Sequence, residues 1–249
     1  MEASSVSRPE RAPTGGAHLL ERRLHVVDLS REIYQGMPIW HAHQRPFIIE
    51  NHRREDARRL FGTAPFLARN LLISEHTGTH ADAIYEYDPD GPPLDETPLA
   101  YYYGDACCID VSSTRYPDLL TPEVLEAANQ AAGSIIREGD IVLLHTGHGA
   151  RTYPRDEYLR DYTGLNRAGA FWLADRGVVN IGVDAVSIDH ADDGELEAHV
   201  VCRERQIVNT ESLCNLEQLV GKRFTYFGLP LNIDGGTGSP IRAVAVLNA

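Results

Sequence analysis

The chemistry of this chain concentrates in one heptapeptide, His76-Thr-Gly-Thr-His80-Ala-Asp82. Two imidazoles four residues apart and a carboxylate two further on supply three ligands suited to Zn²⁺ or Mn²⁺. The intervening Thr77, Gly78 and Thr79 are poor helix formers. An extended or turning backbone is therefore expected, not the shared helix face of an HExxH pair. On a strand, His80 and Asp82 point to the same side, and Gly78 permits the curl that returns His76 to that point. Three ligands leave coordination positions open, as a catalytic metal site does.

The other histidines carry weaker signals. His41 and His43 flank the early strands and are candidates for a pocket lining, and His145 with His148 ends an apolar run beside glycines, where α/β folds place function. Gly235-Gly-Thr-Gly-Ser239 has no following lysine or helix and reads as a turn between strands. No GxSxG nucleophile elbow is present. Arg53, Arg54, Arg58 and Arg59 read either as a solvated helix face or as a holder for a substrate carboxylate.

The elements that must position these groups follow from hydrophobic patterning. Strands are expected at Leu24–Leu29, Phe47–Glu50, Ala106–Val111, Ile141–His145, Val178–Asp184, Val200–Val208, Phe224–Leu229 and Ile241–Leu247. Helices are expected from Thr121 to about Ala132, with Thr121 as N-cap and Pro122 at the first helical position. Two more are expected over Asn166–Arg176 and Glu211–Val220. Strands and helices mix without strict alternation, so the pattern fits a single α/β or α+β domain over residues 24–249, preceded by a flexible tail at 1–23.

Composition narrows the setting. The 249 residues are 43% hydrophobic and 24% charged, ample for one sizeable core. The net charge is −13, which disfavours nucleic acid as a partner. Four cysteines without a CxxC pair argue against a disulfide framework and a thiolate zinc site. No secretory signal and no membrane span is expected, which points to the cytoplasm.

With these residues in view, the chain resembles the cyclase-like metal-dependent hydrolases, a family that includes bacterial kynurenine formamidase and isatin hydrolase. The resemblance rests on His76–Asp82, on Asp28-Leu-Ser with Gly36-Met-Pro-Ile-Trp40, and on Ile141–Gly147, Gly182–Asp189 and Leu229–Arg242, in that order. It implies an α/β fold, a single compact β/β/α swivelling domain that assembles as a homodimer or homotetramer. It also implies a first divalent ion on His76, His80 and Asp82, and a second on His199 and Glu211 with Asp82 bridging, one or two ions in all.

The sequence departs from the family where a proline and a catalytic histidine are expected: Ile84 and Glu86 stand there. Glutamate has an unperturbed pKa of about 4.3 against about 6.5 for histidine, and beside a cation it is expected to stay ionised or to ligate. The implied function is metal-dependent hydrolysis of a cyclic or aryl amide, formamide or lactone. Glu86 would be the proton carrier, and Trp40 and Phe47 a flat wall for a small-molecule substrate. A cyclase, dehydratase or isomerase using the same site without net hydrolysis is the alternative, and a non-catalytic binding protein the third reading.

Overall fold

The computed structural model describes residues 25–247. The tail expected at 1–23 lies outside the described residues. Eleven strands form among them: β1 (His25–Asp28), β2 (Phe47–His52), β3 (Ala68–Leu72), β4 (His80–Asp82), β5 (Tyr103–Asp110), β6 (Ile141–His145), β7 (Asn180–Val183), β8 (Val208–Glu211), β9 (Arg223–Phe227), β10 (Gly238–Pro240) and β11 (Val244–Leu247). The helices are α1 (Ala57–Phe61), α2 (Pro122–Ala131), α3 (His148–Thr152), α4 (Arg167–Ala174) and α5 (Glu197–Arg205).

Nine strands make one mixed sheet in the order β1-β11-β9-β5-β6-β7-β8-β4-β10. Its centre, β5-β6-β7-β8, is parallel. Antiparallel strands extend it at both ends. The fully buried central strands explain the continuous apolar runs of Cys107–Ile109 and Ile141–Leu144. Alternate residues serve two cores. Cys107, Ile109, Val142 and Leu144 pack with Leu125 of α2, Leu173 of α4 and Val201 of α5. Cys108, Ile141 and Leu143 face the second core, which also takes Ala81 of β4 and Val27 of β1. Strands from both ends of the sheet thus share one core, so the sheet is curled around it.

Local signals set the helix starts. Thr121 caps α2 by accepting from Val124 N, with Pro122 at the first position. Asn166 caps α4 through Gly169 N at 2.7 Å. Gly169 is needed for close approach, because a Cβ there would stand 2.2 Å from the Leu120 carbonyl oxygen.

Two expected elements are corrected. The segment expected as a strand at Val200–Val208 is the helix α5, followed by the strand β8. Ala198, Val201 and Cys202 recur at helical spacing and bury against α4 and the sheet, which outweighs the β preference of the paired valines. The helix expected at Glu211–Val220 is only a 3₁₀ turn at Leu216–Gln218, because Glu211 is already claimed by the β8 ladder.

The start of β9 is tied to the start of β6 by a buried ion pair. Arg223 donates to both oxygens of Asp140, at 2.5 and 2.8 Å, and Arg137 N donates to one of them at 2.8 Å. Asp140 is 1% exposed. Asp140→Ala leaves that guanidinium with only the exposed Asp105, 3.7 Å away, and we expect a loss of about 3 kcal/mol in denaturant unfolding.

Candidate metal centre

Three elements deliver the site. His80 and Asp82 sit on β4 with Ala81 turned into the core between them. β4 pairs antiparallel with β8 so that His80 lies opposite Glu211, and Asn209 lies two residues before Glu211. His199 is presented by α5. His76 comes from the turn before β4. Gly78 takes φ +68° there, and Gly238 clears space for the His76 ring, since a Cβ at 238 would lie 2.7 Å from its Cε1. All five expected ligands, His76, His80, Asp82, His199 and Glu211, are at or below 9% exposure.

The hydrogen-bond network assigns the imidazole lone pairs. His80 Nδ1–H donates to the Gly78 carbonyl at 2.8 Å, leaving Nε2 as an acceptor. His199 Nδ1–H donates to Asp189, again leaving Nε2. Thr237 Oγ1 donates to Glu75 Oε2 at 2.6 Å, so it can only accept from His76 Nε2 at 3.1 Å, and Nδ1 carries the lone pair. These three nitrogens face carboxylates. His76 Nδ1 is 2.8 Å and His80 Nε2 3.4 Å from Asp82 Oδ1, and His199 Nε2 is 3.2 Å from Glu211 Oε1. The one donor among them is Asn209 Nδ2, at 2.5 Å from Asp82 Oδ2, 3.1 Å from His199 Nε2 and 3.2 Å from Glu211 Oε1.

Acceptors crowded against acceptors in a dry pocket demand positive charge. Burial alone would lower the histidine pKa values, yet Asp82 and Glu86 outweigh it and push His76 up to about 9. Burial is likewise outweighed at His199, where Asp189, Asp82 and Glu211 push the ring far above its ordinary range. Asp82 is held well below the usual carboxylate range, its burial overcome by His80 and His76. Divalent cations meet the same demand in place of protons. The donor set separates into two triads, His76-His80-Asp82 and Asp82-His199-Glu211, whose ligand atoms lie within 4.8 Å of one another. Asp82 belongs to both, as a bridging carboxylate must. The residues therefore fit one or two divalent ions.

Around this centre is a cavity of about 190 Å³ lined by Trp40, His43, Glu86, Tyr87 and Tyr162 among others. Trp40 is tilted against His43 at 5.4 Å, and His43 stacks on His76 at 5.0 Å. Glu86 lies in a 3₁₀ turn with Oε1 3.5 Å from His76 Nε2, and its Oε2 is buried without a hydrogen-bond partner. Without a metal, burial, reinforced by Asp82, pushes Glu86 up to about 8; a cation on His76 and Asp82 would draw it back down, as expected from sequence beside a metal. Phe47 is corrected: it stands 52% exposed on β2, in a two-stranded sheet with β3 and apart from the cavity. His145 and His148 also lie outside the cavity lining, paired with Asp110 and with the Tyr158 carbonyl.

Sequence reasoning missed Asn209 and the orienting role of Asp189. Asn209 was findable, since residues two apart on a strand share a face. Asp189 was not, because its contact with His199 exists only once α5 folds back against the segment that follows β7.

The profile of the Cyclase family matches residues 27–190. A kynurenine formamidase of Salinibacter ruber is 31% identical over 219 residues, covering 88% of this chain and 96% of that protein. A kynurenine formamidase of Paracidovorax citrulli is 28% identical over 87% of this chain and 94% of its own. Among solved structures, an isatin hydrolase bound to the product analogue thioisatinate superimposes with a TM-score of 0.82 at 24% identity, over 94% of this chain and 96% of its own. Isatin hydrolase A from Ralstonia solanacearum gives 0.80 at 25% identity, over 96% of this chain and all of its own.

Elemental analysis after zinc loading checks the centre. His80→Ala should lose bound metal while retaining the far-ultraviolet dichroism of the fold. Asp189→Asn, which removes only the carboxylate orienting His199, should weaken metal affinity by about 10- to 100-fold; unchanged metal content in both variants would refute the ligand assignment.

Proposed function

From the premise that this chain belongs to the Cyclase family, we propose that it is a metal-dependent hydrolase cleaving the amide bond of a small aryl formamide or cyclic amide. The observation that carries this reading is the convergence of three imidazole lone pairs and two carboxylates on one end of an aromatic-walled cavity. The named activity of the relatives supports the amide as the bond class. The donor set suits Zn²⁺ or Mn²⁺.

A divalent ion held there supplies Lewis acidity, lowering the pKa of a water from about 15.7 toward 7 and polarising a carbonyl. The chain's own groups do the rest. Trp40 and His43 offer a ring-lined wall against which a planar substrate lies. Asn209 holds Asp82 and Glu211 in place through its amide. Glu86, buried beside His76, takes a proton from the attacking water and returns it to the departing nitrogen. Its Oε1 lies 3.5 Å from His76 Nε2, at the edge of the ligand set where that exchange takes place. Ile84, in the position of the proline, fills the second core and fixes the 3₁₀ turn that carries Glu86.

The free state of all four cysteines fits the cytoplasmic location, and no helix among the described residues is long and apolar enough to cross a membrane. A second copy of the chain is the partner we infer. On β2, α1 and β3 the side chains of Phe47, Ile49, Leu60, Phe61, Leu71 and Leu72 are each about half exposed. At roughly 200 Å² for a large side chain they present on the order of 600 Å² of apolar surface, close to the ~800 Å² per partner of a standard interface. Residues 41–72 carry six arginines and three acids, +3 in a chain of −13. The arm of one copy is thus complementary to the acidic body of another.

Two experiments check these readings. Zinc-loaded protein should hydrolyse formanilide with one ¹⁸O from labelled water entering the formate, and Glu86→Gln should lower kcat by roughly 10²–10⁴; no release of formate from aryl formamides or opening of cyclic amides would transfer the assignment to the cyclase or isomerase class. Sedimentation should give a dimer or tetramer, weakened by salt and by Leu71→Glu, a change at an already exposed side chain; a wild-type monomer refutes the interface.

A further inference from the structure

The segment that leads from β7 into α5 closes one side of the cavity, and His190 within it has no part in the chemistry above. The residue is 8% exposed. It forms part of the cavity wall, next to Asp189, the carboxylate that holds His199. It also borders an outer depression together with Leu119, Asn166 and Asp192. Its ring stacks on Tyr116 at 5.3 Å, with 16° between the planes. Tyr116 is tethered in turn, since its hydroxyl donates to Asp192 Oδ2 at 2.9 Å. The backbone N–H of Asp192 donates to His190 Nδ1 at 3.2 Å.

That last contact fixes the tautomer. A backbone N–H only donates, so Nδ1 carries the lone pair and Nε2 carries the proton. Nε2 is buried and has no hydrogen-bond partner. Asp192 borders the outer depression and is not part of the cavity lining. The two ring nitrogens point in widely divergent directions, so Nε2–H is turned away from Asp192 and inward. A buried donor left unpaired costs free energy, and its retention calls for an acceptor that arrives with a ligand. The stack on Tyr116 and the Asp192 N–H hold the ring, so the donor is positioned in advance. Asp189 and Asp193 line the cavity beside it, so an anion would meet negative charge there. A carbonyl or ether oxygen accepts a hydrogen bond without that penalty.

We propose that His190 is a specificity-determining residue whose Nε2–H binds an uncharged oxygen acceptor, a carbonyl or ether, on the far side of the substrate's ring. His190 belongs to neither ligand triad, so this oxygen is distinct from the carbonyl at the metal centre. The assignment rests on the amide-hydrolase reading for the bond that is cut, while the donor itself rests on His190 alone.

The test compares formanilides carrying an acetyl group at ring position 3 or 4 with those carrying isopropyl there, which has a similar shape and no acceptor. Ring electronics act alike in wild type and variant, so the quantity to follow is the acetyl-to-isopropyl ratio of kcat/KM. In zinc-loaded protein, His190→Phe keeps a ring for Tyr116 and removes the N–H. It should lower that ratio by about 5- to 100-fold at one of the two positions. His190→Gln, which restores a donor, should recover part of the ratio. A ratio equal in wild type and His190→Phe at both positions, even with all substrates slowed alike, would make His190 a packing residue and overturn the proposal. Calorimetric titration with the 3- and 4-aminoacetophenones and the matching isopropylanilines keeps the donor testable if no formanilide turns over. Tighter binding of a ketone, lost in His190→Phe, supports the donor even where the hydrolase reading fails. Ketone and hydrocarbon binding alike, or a ketone preference that survives His190→Phe, refutes it. Should the variants not fold, ¹⁵N-histidine spectra of the zinc-loaded wild type decide: a ring Nε2–H moved downfield by an aminoacetophenone and not by isopropylaniline supports the donor, and no such shift refutes it.

Discussion

Three imidazole nitrogens and the oxygens of Asp82 and Glu211 converge in a buried space with one amide donor among them. Lone pairs opposed at 2.8 to 3.4 Å repel unless something positive lies between them. The protein holds this arrangement with contacts that belong to no ligand: the Gly78 carbonyl fixes one ring, Asp189 a second, and Thr237 with Glu75 a third. Each of these contacts also selects a tautomer, so the ligand nitrogen of every histidine is set before a cation arrives.

The fold serves that constraint. His80 and Asp82 occupy a strand of three residues near the edge of the sheet, which alone would hold little in place. β8 on one side and β10 on the other make it a central strand of its region, and Ala81 anchors it in the second core. α5 approaches β8 across the first core and brings His199 to Glu211. The two cores therefore meet at the metal centre, one from each face of the sheet. The exposed arm of β2, α1 and β3 contributes none of the groups in this convergence.

The cavity divides its labour by charge. At one end the carboxylates of Asp82 and Glu211 draw cations, with Glu86 beside His76. In the wall, Arg31 carries the opposite sign and forms no ion pair among the described residues. The glutamate in place of the expected histidine fits this scheme, because a carboxylate beside the ligand set can carry a proton as an imidazole does.

Much of the centre was legible in the residues themselves. His76, His80 and Asp82 announce a metal site because the spacing of four and two, with glycine inside, suits an extended backbone turning on itself. Thr121-Pro122 and the apolar run at 141–144 likewise encode their elements locally, through a cap and through burial on both faces. What lay beyond the sequence was every relation between segments distant along the chain. Whether Val200 joins a strand or a helix, whether Phe47 meets the cavity, and how acidic Glu86 is depend on which surfaces are covered and which charges come close. His190 is the clearest case: a histidine in a sequence is a ring that can give or take a proton, and only the Asp192 N–H set against Nδ1 decides that Nε2 keeps the proton and stands unpaired.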